Sequence, residues 1–248
     1  MLHEVMMLRA TPVPMLTDNY AWLLQEAGSG ATALVDPPDA DAAEAAVMAA
    51  GRRLDLILLT HHHADHVAGT DALRARFGCK VAGAAADAHR LPALDHALRP
   101  GETIAVGHAA GQVIDTPGHT VGHVAFFFPD GGLLACGDTL FSLGCGRLFE
   151  GSAADMFASL RRLAALPPDT RICCGHEYTE SNARFALHVD PDNAALRARA
   201  ATVTALRAAG RPTVPVSLGE ELETNPFLRA PDAQTLGALR AQKDNFRG

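Results

Sequence analysis

The segment Thr60-His61-His62-His63-Ala64-Asp65-His66 places four imidazoles and one carboxylate within seven residues. Neutral imidazole nitrogens and an ionised carboxylate are the donors that zinc and neighbouring transition metals take. In an extended stretch alternate side chains share a face, so His61 and His63 point one way and His62 the other. Asp65 and His66 follow one turn on, within reach of a second ion. The competing explanations are a solvated polar turn and a histidine tract of the affinity-tag kind. Such a tract is terminal and uninterrupted, whereas this one is internal and follows the apolar run Leu54 to Leu59. Three further segments have the form of an apolar strand broken by glycine and followed by a ligand-type residue: Val113 to Gly118 with His119, Leu133 to Gly137 with Asp138, and Arg171 to Gly175 with His176. A lone histidine after a strand is usually an ordinary surface or core residue. Four such junctions in one chain instead gather seven donors on loops along one sheet edge, the number needed for two ions that share a carboxylate.

The elements that must hold these junctions alternate along the chain. Tyr20 to Gln25 and Thr32 to Val35 read as strands joined by the Gly28 to Gly30 turn. Asp41 to Ala50 is an alanine-rich helix with acidic residues at its start and Gly51 at its end. Leu54 to Leu59 is a buried strand, and Val67 to Phe77 a helix closed by Gly78. Lys80 to Gly83, Val113 to Asp115, Val124 to Phe128 and Leu133 to Cys136 are further strands, the last two forming a hairpin across Pro129-Asp130-Gly131-Gly132. Ser152 caps an amphipathic helix that runs to Leu166 and is stopped by Pro167-Pro168. Beyond about residue 175 the pattern turns helical, with Glu180 to His188 and Ala194 to Gly210. Two domains are therefore expected, 1–175 and 176–248.

The 248 residues are 48% hydrophobic and 20% charged, enough for one substantial core with a small appendage. The N-terminus, Met1 to Val5 running into Thr11-Pro12-Val13-Pro14, has no charged-then-apolar leader, and no apolar stretch is long enough to span a bilayer. Five cysteines, with Cys173 and Cys174 adjacent, do not form a disulfide framework or a zinc-finger spacing. A cytoplasmic protein with reduced thiols is expected. The formal charge of −7 argues against a nucleic-acid partner. It leaves an anionic small molecule open, because exposed charges more than about 10 Å away are screened and a few local cations decide.

The set His61-x-His63-x-Asp65-His66, His119, Asp138 and His176 resembles the metallo-β-lactamase superfamily. Within it the chain is similar to the glyoxalase II (hydroxyacylglutathione hydrolase) family, through Gly144 to Gly151, Gly175 to Thr179, Asn225 to Arg229 and Leu239 to Asp244. The resemblance implies an α/β (α+β) protein, an αββα sandwich (1–175) followed by a small helical substrate-binding domain (176–248). It implies two divalent metal ions, zinc first, with iron or manganese suiting the same donors. One would be held by His61, His63 and His119, the other by Asp65, His66 and His176. Asp138 would bridge them, and Asp65 and Asp138 would be the carboxylates of the catalytic centre. The implied reaction is hydrolysis of S-(2-hydroxyacyl)glutathione, typically S-D-lactoylglutathione, to D-lactate and glutathione, the second step of methylglyoxal detoxification. The implied partner is this small-molecule thioester, with no membrane or nucleic-acid partner and a monomeric protein.

The resemblance also implies that Arg147, Arg240 and Lys243 receive the glutathione carboxylates, with Phe149 in the same pocket and Tyr178 against the glutathione backbone. A solvated last helix is the plainer explanation of Arg240 and Lys243, and packing that of Tyr178. Phe149 stands where some members have tyrosine, removing a hydroxyl; a lost hydrogen bond to a charged group costs about 1.5–3 kcal/mol. Ala68 precedes Gly69 where many members have two glycines, and Arg147 replaces a frequent lysine. His62 is expected to point away from the ions, and His123 to be structural or to orient a ligand. His3, His89, His96, His108 and His188 are read as surface, and Cys145 as no nucleophile. Two rival functions are a persulfide dioxygenase with a single iron and a non-catalytic metal-stabilised binding module. A donor set complete for two ions speaks against both.

Overall fold

The computed structural model describes residues 8–248; the expectations for Met1 to Val5, including His3 at the surface, lie outside the described residues. Two six-stranded sheets face each other. The first runs β1 (Leu8–Met15), β2 (Asn19–Glu26), β3 (Thr32–Val35), β4 (Leu56–Leu58), β5 (Lys80–Ala84) and β6 (His96–Leu98), antiparallel up to β3 and parallel from there on. Strand alternation explains its two faces. Trp22, Leu24, Ala33, Val35, Leu58 and Ala82 point to the main core between the sheets. Their neighbours Leu23, Leu34, Ile57, Leu59 and Val81 form a second core beneath α1 (Ala40–Ala49) and α3 (Thr70–Phe77).

Between β4 and α3 lies the single turn α2 (Ala64–Val67). A continuous helix from Val67 to Phe77 is thus corrected to α2 and α3 with a break at Ala68-Gly69. The Gly69 N–H leaves the helical ladder and donates to the Pro37 carbonyl at 3.0 Å, an approach so close that a Cβ on Gly69 would stand 2.7 Å from that oxygen and 2.9 Å from the Ala40 nitrogen. A side chain at position 69 has no room.

The second sheet contains β7 (Thr103–Val106), β8 (Ala109–Asp115), β9 (Val124–Phe128) and β10 (Leu133–Gly137). A small ribbon of β11 (Leu140–Phe141) and β12 (Gly144–Cys145) follows. Then come α4 (Ala153–Ala164) and β13 (Arg171–Cys174), the latter parallel to β10. Ser152 and Asp155 form a reciprocal capping box at the start of α4, worth about 1 kcal/mol. The expected hairpin β9–β10 is present, turning through residues 129–132.

After β13 come α5 (Thr179–Val189), α6 (Ala194–Ala208), a two-residue strand β14 (Val216–Ser217), α7 (Leu218–Thr224) and α8 (Ala233–Asn245). β14 extends the second sheet beside β13, and Phe185, Leu218, Phe227 and Leu236 join the main core. The helical part is thus fastened to the sandwich by a strand and by apolar burial. No helix among the described residues is long and apolar enough to cross a membrane.

Parallel directions decide where the ligand-type residues go. β8, β10 and β13 run the same way, because β9 is antiparallel to both β8 and β10 and β13 is parallel to β10. Their exits therefore share one edge. The exit of β4 meets them there, tied across by the Val124 N–H donating to the Thr60 carbonyl at 2.9 Å.

Candidate metal centre and substrate cavity

The four strand exits bring all seven ligand-type residues together in two abutting clusters. In the first, His61 Nε2 and His119 Nε2 each lie 3.0 Å from His63 Nδ1. In the second, His66 Nε2 and His176 Nε2 are 3.3 Å apart, with Asp65 Oδ2 at 3.9 and 3.6 Å from them. Asp138 stands between the two. Its Oδ2 is 3.5 Å from His119 Nε2 and 3.4 Å from His176 Nε2, and its Oδ1 is 3.4 Å from His66 Nε2.

Hydrogen bonds on the far side of each ring fix which nitrogen faces inward. His119 Nδ1 donates to the Arg147 carbonyl (2.9 Å), His176 Nδ1 to Asp18 (2.8 Å) and His66 Nδ1 to Asp36 (3.2 Å). His61 Nδ1 donates to Thr60 Oγ1 (3.0 Å), whose own hydroxyl donates to Asp36 Oδ2 (2.6 Å). In the neutral form of each of these rings Nε2 is then the lone pair, aimed at the centre, the arrangement in which metal-ligating histidines are held. His123 stacks on His61 at 4.8 Å and accepts the Asp138 backbone N–H at 3.1 Å, so it positions the carboxylate from behind. His62 points outward to Asp87 at 3.0 Å, as expected.

The charge states divide the rings into two groups. Burial lowers His61 well below the ordinary histidine value, and lowers His63 and His119 as well, so these rings are neutral at pH 7. Burial would raise the Asp138 carboxyl, but His66 and His176 outweigh it and hold it well below the carboxylate range. For His66 and His176 burial acts downward, and Asp138 overrides it and lifts both. Asp138 Oδ1 is buried without a hydrogen-bond donor. A Cβ on Gly175 would come within 2.4 Å of that oxygen, so glycine keeps the space around it open. An orphaned anionic oxygen among convergent imidazole lone pairs fits divalent cations. Nitrogens around a tetrahedral zinc are about 3.3 Å apart, close to the separations seen here.

His63, Asp65, His119, Asp138 and His176 line a cavity of about 480 Å³, while His61 and His66 lie behind its wall. Its other end is cationic and is lined by Arg147, Arg240, Lys243 and Arg247. Arg240 is buried, donating to the Cys145 carbonyl (2.8 Å) and to Asp244 (2.8 Å). Lys243 donates to the Ser181 carbonyl and hydroxyl, both at 2.9 Å. Burial, reinforced by the Arg240, Arg184 and Arg147 charges, brings Lys243 down to about 8. Arg147 is exposed, 3.7 Å from Asp244.

Tyr178 stacks on His176 at 4.6 Å, and Phe149 is 61% exposed with its ring 5.7 Å from His63 and 5.2 Å from His119. Every residue singled out for substrate contact therefore borders one cavity. Cys145 also lines it, but burial raises its thiol to about 11, in keeping with no nucleophilic role. The orienting carboxylates Asp18 and Asp36, and Arg247, were not legible as site residues. Asp36 had one signal: it is a carboxylate leaving a buried strand just before Pro37-Pro38, and it takes a positive φ of 49°.

Residues 16–176 match the metallo-β-lactamase superfamily, and residues 177–246 match the hydroxyacylglutathione hydrolase C-terminus. A hydroxyacylglutathione hydrolase from Acidiphilium cryptum is 64% identical over 95% of this chain and 96% of its own. Among solved structures, ETHE1 from Myxococcus xanthus superposes with a TM-score of 0.74 at 24% identity, covering 98% of this chain and 92% of that one, a likeness of fold alone. The protein TTHA1623, solved in a di-iron-bound form, gives a TM-score of 0.66 at 28% identity over 88% of this chain and 99% of its own.

Proposed function

The chain belongs to the hydroxyacylglutathione hydrolase (glyoxalase II) family of the metallo-β-lactamase superfamily, and from that premise we propose that its cavity hydrolyses S-(2-hydroxyacyl)glutathione, with D-lactoyl as the usual acyl group. One observation carries the proposal: donors from both clusters, with Asp138 between them, line the same cavity as a patch of cations. That pairing suits a thioester whose reacting carbonyl is at one end and whose carboxylates are at the other.

In this reading His61, His63 and His119 would hold one divalent ion, Asp65, His66 and His176 a second, and Asp138 would bridge them. Zinc is the metal we assign, and iron or manganese would satisfy the same donors. Bound there, such ions supply hydroxide at neutral pH and a Lewis acid for the carbonyl. Asp138 stays anionic because its neighbours hold its proton off. The leaving thiolate has an ordinary pKa near 8.5, so it departs without a protonating side chain, and no Ser–His or Cys–His pair is needed. Arg147, Arg240 and Lys243 would receive the glutathione carboxylates, Arg240 with a planar fork already set by Cys145 and Asp244. Tyr178 and Phe149 would wall the thioester between the two ends.

Residues 1–175 would then form the catalytic unit and 176–248 the substrate-binding unit. We assign a cytoplasmic monomer. Five free, buried thiols suit a reducing compartment. Among the large apolar residues exposed in the described chain, Leu16, Val121, Phe149 and Tyr178, two belong to the cavity mouth rather than to a docking face. A single-iron dioxygenase is not favoured, because the donors form two clusters rather than one open triad.

Turnover of S-D-lactoylglutathione, measured before chelation, after it and after zinc is restored, tests the proposal. Activity lost and regained with metal supports it. A fully metallated protein without thioesterase activity overturns the substrate assignment.

A further inference from the structure

The ribbon β11–β12 touches both ends of the cavity. Phe141 lines it, 6.0 Å from the His176 ring and 5.2 Å from Tyr178. The Cys145 carbonyl takes the Arg240 guanidinium at 2.8 Å. Two residues on, the Arg147 carbonyl accepts from His119 Nδ1. The placement of this ribbon therefore sets where Arg240, Arg147 and Tyr178 stand relative to the donor clusters.

A two-stranded ribbon two residues wide cannot fix itself. Its turn, Ser142-Leu143, is held by the helical part. Glu221 on α7, fully buried, accepts from Ser142 Oγ (2.7 Å), from the Leu143 backbone N–H (2.7 Å) and from Asn225 Nδ2 (2.9 Å). The two Asn225 Nδ2 hydrogens are shared between Glu221 and the carbonyls of Phe141 (3.1 Å) and Gly144 (3.0 Å), one on each strand. Asn182 of α5 donates to the Ser142 carbonyl at 3.1 Å, and Arg199 of α6 to the Ser142 hydroxyl at 3.2 Å. Leu143 takes a φ of 58°, sterically costly for leucine, while its buried side chain packs among Ala183, Ala186, Leu196 and Ala200 of α5 and α6. A conformation of that kind persists only where its surroundings over-determine it. None of these groups belongs to the donor clusters, and within the segment Asn225 to Arg229 Phe227 also meets the site, its ring 5.4 Å from the Arg240 guanidinium.

We propose that Glu221 is a positioning residue for substrate binding: its buried carboxylate, with Asn225, clamps the β11–β12 turn and thereby aligns Arg240 and Arg147 with the reacting end of the cavity. The proposal rests on the thioesterase reading above. The ribbon carries the substrate-facing groups and meets the donors only through the Arg147 carbonyl on His119, two residues beyond it, so loss of the clamp falls chiefly on KM and less on metal content and kcat.

The geometry also selects the rescuing substitution. Oε2 faces two donors, whereas Oε1 faces a hydroxyl that can accept as well as donate. Glu221→Gln, with its oxygen toward Leu143 and Asn225 and its amide donating to Ser142, keeps all three contacts, while the Ser142 hydroxyl, which also accepts from Arg199, gives up its own acceptor. Glu221→Ala removes all three.

The experiment compares the parent protein, Glu221→Ala, Glu221→Gln and the milder Ser142→Ala on S-D-lactoylglutathione, with metal content measured on each. Expected are a KM raised about tenfold or more in Glu221→Ala, since small displacements of positioning groups weigh heavily. A KM within about twofold of the parent in Glu221→Gln, and an intermediate rise in Ser142→Ala, follow from the bonds each keeps. Metal content should stay close to that of the parent throughout. If Glu221→Ala does not fold, the contrast between Ser142→Ala and Glu221→Gln decides. Thermal destabilisation with KM unchanged in the variants overturns the clamp and leaves the thioesterase intact. Absence of turnover in the metallated parent overturns both.

Discussion

At the floor of the cavity, His61, His66, His119 and His176 are buried, and each has its second nitrogen tied to a fixed oxygen. At the mouth, Arg147 is exposed, Lys243 is half-buried and has no carboxylate partner within 4 Å among the described residues, and Arg240 is locked at both ends of its guanidinium. The floor is set before anything binds, and on the reading proposed above the exposed part of the mouth would gain order from the substrate. The contrast fits a division of labour in which one end governs the chemical step and the other governs affinity.

The largest effect should come from Asp138, the group that touches both clusters. Asp138→Ala should lower turnover by roughly a thousandfold or more and reduce bound metal, since no other carboxylate stands between the two sets of imidazoles. Activity and metal content both intact would dissolve the bridging assignment. Next are the carboxylates behind the rings. Asp36→Asn and Asp18→Asn keep the shape but weaken the acceptors of His66 and His176, so each should cost about 10–100-fold in metal affinity or activity. Titration with a competing chelator would show it.

At the mouth, Arg240→Ala combined with Lys243→Ala should raise KM about tenfold or more with a smaller change in kcat. Equal losses in both constants would mean that the two ends are not separate. The smallest effect is one of pH. Lys243 titrates near 8 rather than near 10.5, because burial and neighbouring cations disfavour its charge. Below that pH it is charged and favours an anionic substrate; above it the charge is lost. KM should therefore be flat below about 7 and rise a few-fold through 8, an inflection that Lys243→Ala abolishes.

The same contrast governs what could be read from the sequence. The floor was legible because every ligand segment follows an apolar strand, with a glycine directly before His119, Asp138 and His176, so local pattern placed all seven donors on one edge. What holds those donors was not. Asp18 and Asp36 are single carboxylates in loops, and their partners lie 158 and 30 residues away. His123 could be read only as structural or orienting until its contact with the Asp138 N–H was seen. The same applies to Glu221, whose partners are 78 and 79 residues distant. In the fold, β1 went unread because Pro12 and Pro14 argue against a strand. They are tolerated because β1 is an edge, paired on one side only. The break at Gly69 was hidden for a related reason: the hydrogen bond from its N–H to the Pro37 carbonyl spans 32 residues of chain.

The claim that one cavity joins a metal-assisted reaction to recognition of glutathione is tested most directly by changing only the thiol of the substrate. The kcat/KM for S-D-lactoylglutathione would be measured against that for the D-lactoyl thioester of N-acetylcysteamine, which keeps the reacting carbonyl and lacks both carboxylates. The account predicts that both are hydrolysed only by metallated protein, with the truncated thioester disfavoured about a hundredfold or more, chiefly through KM. Equal kcat/KM for the two would contradict it.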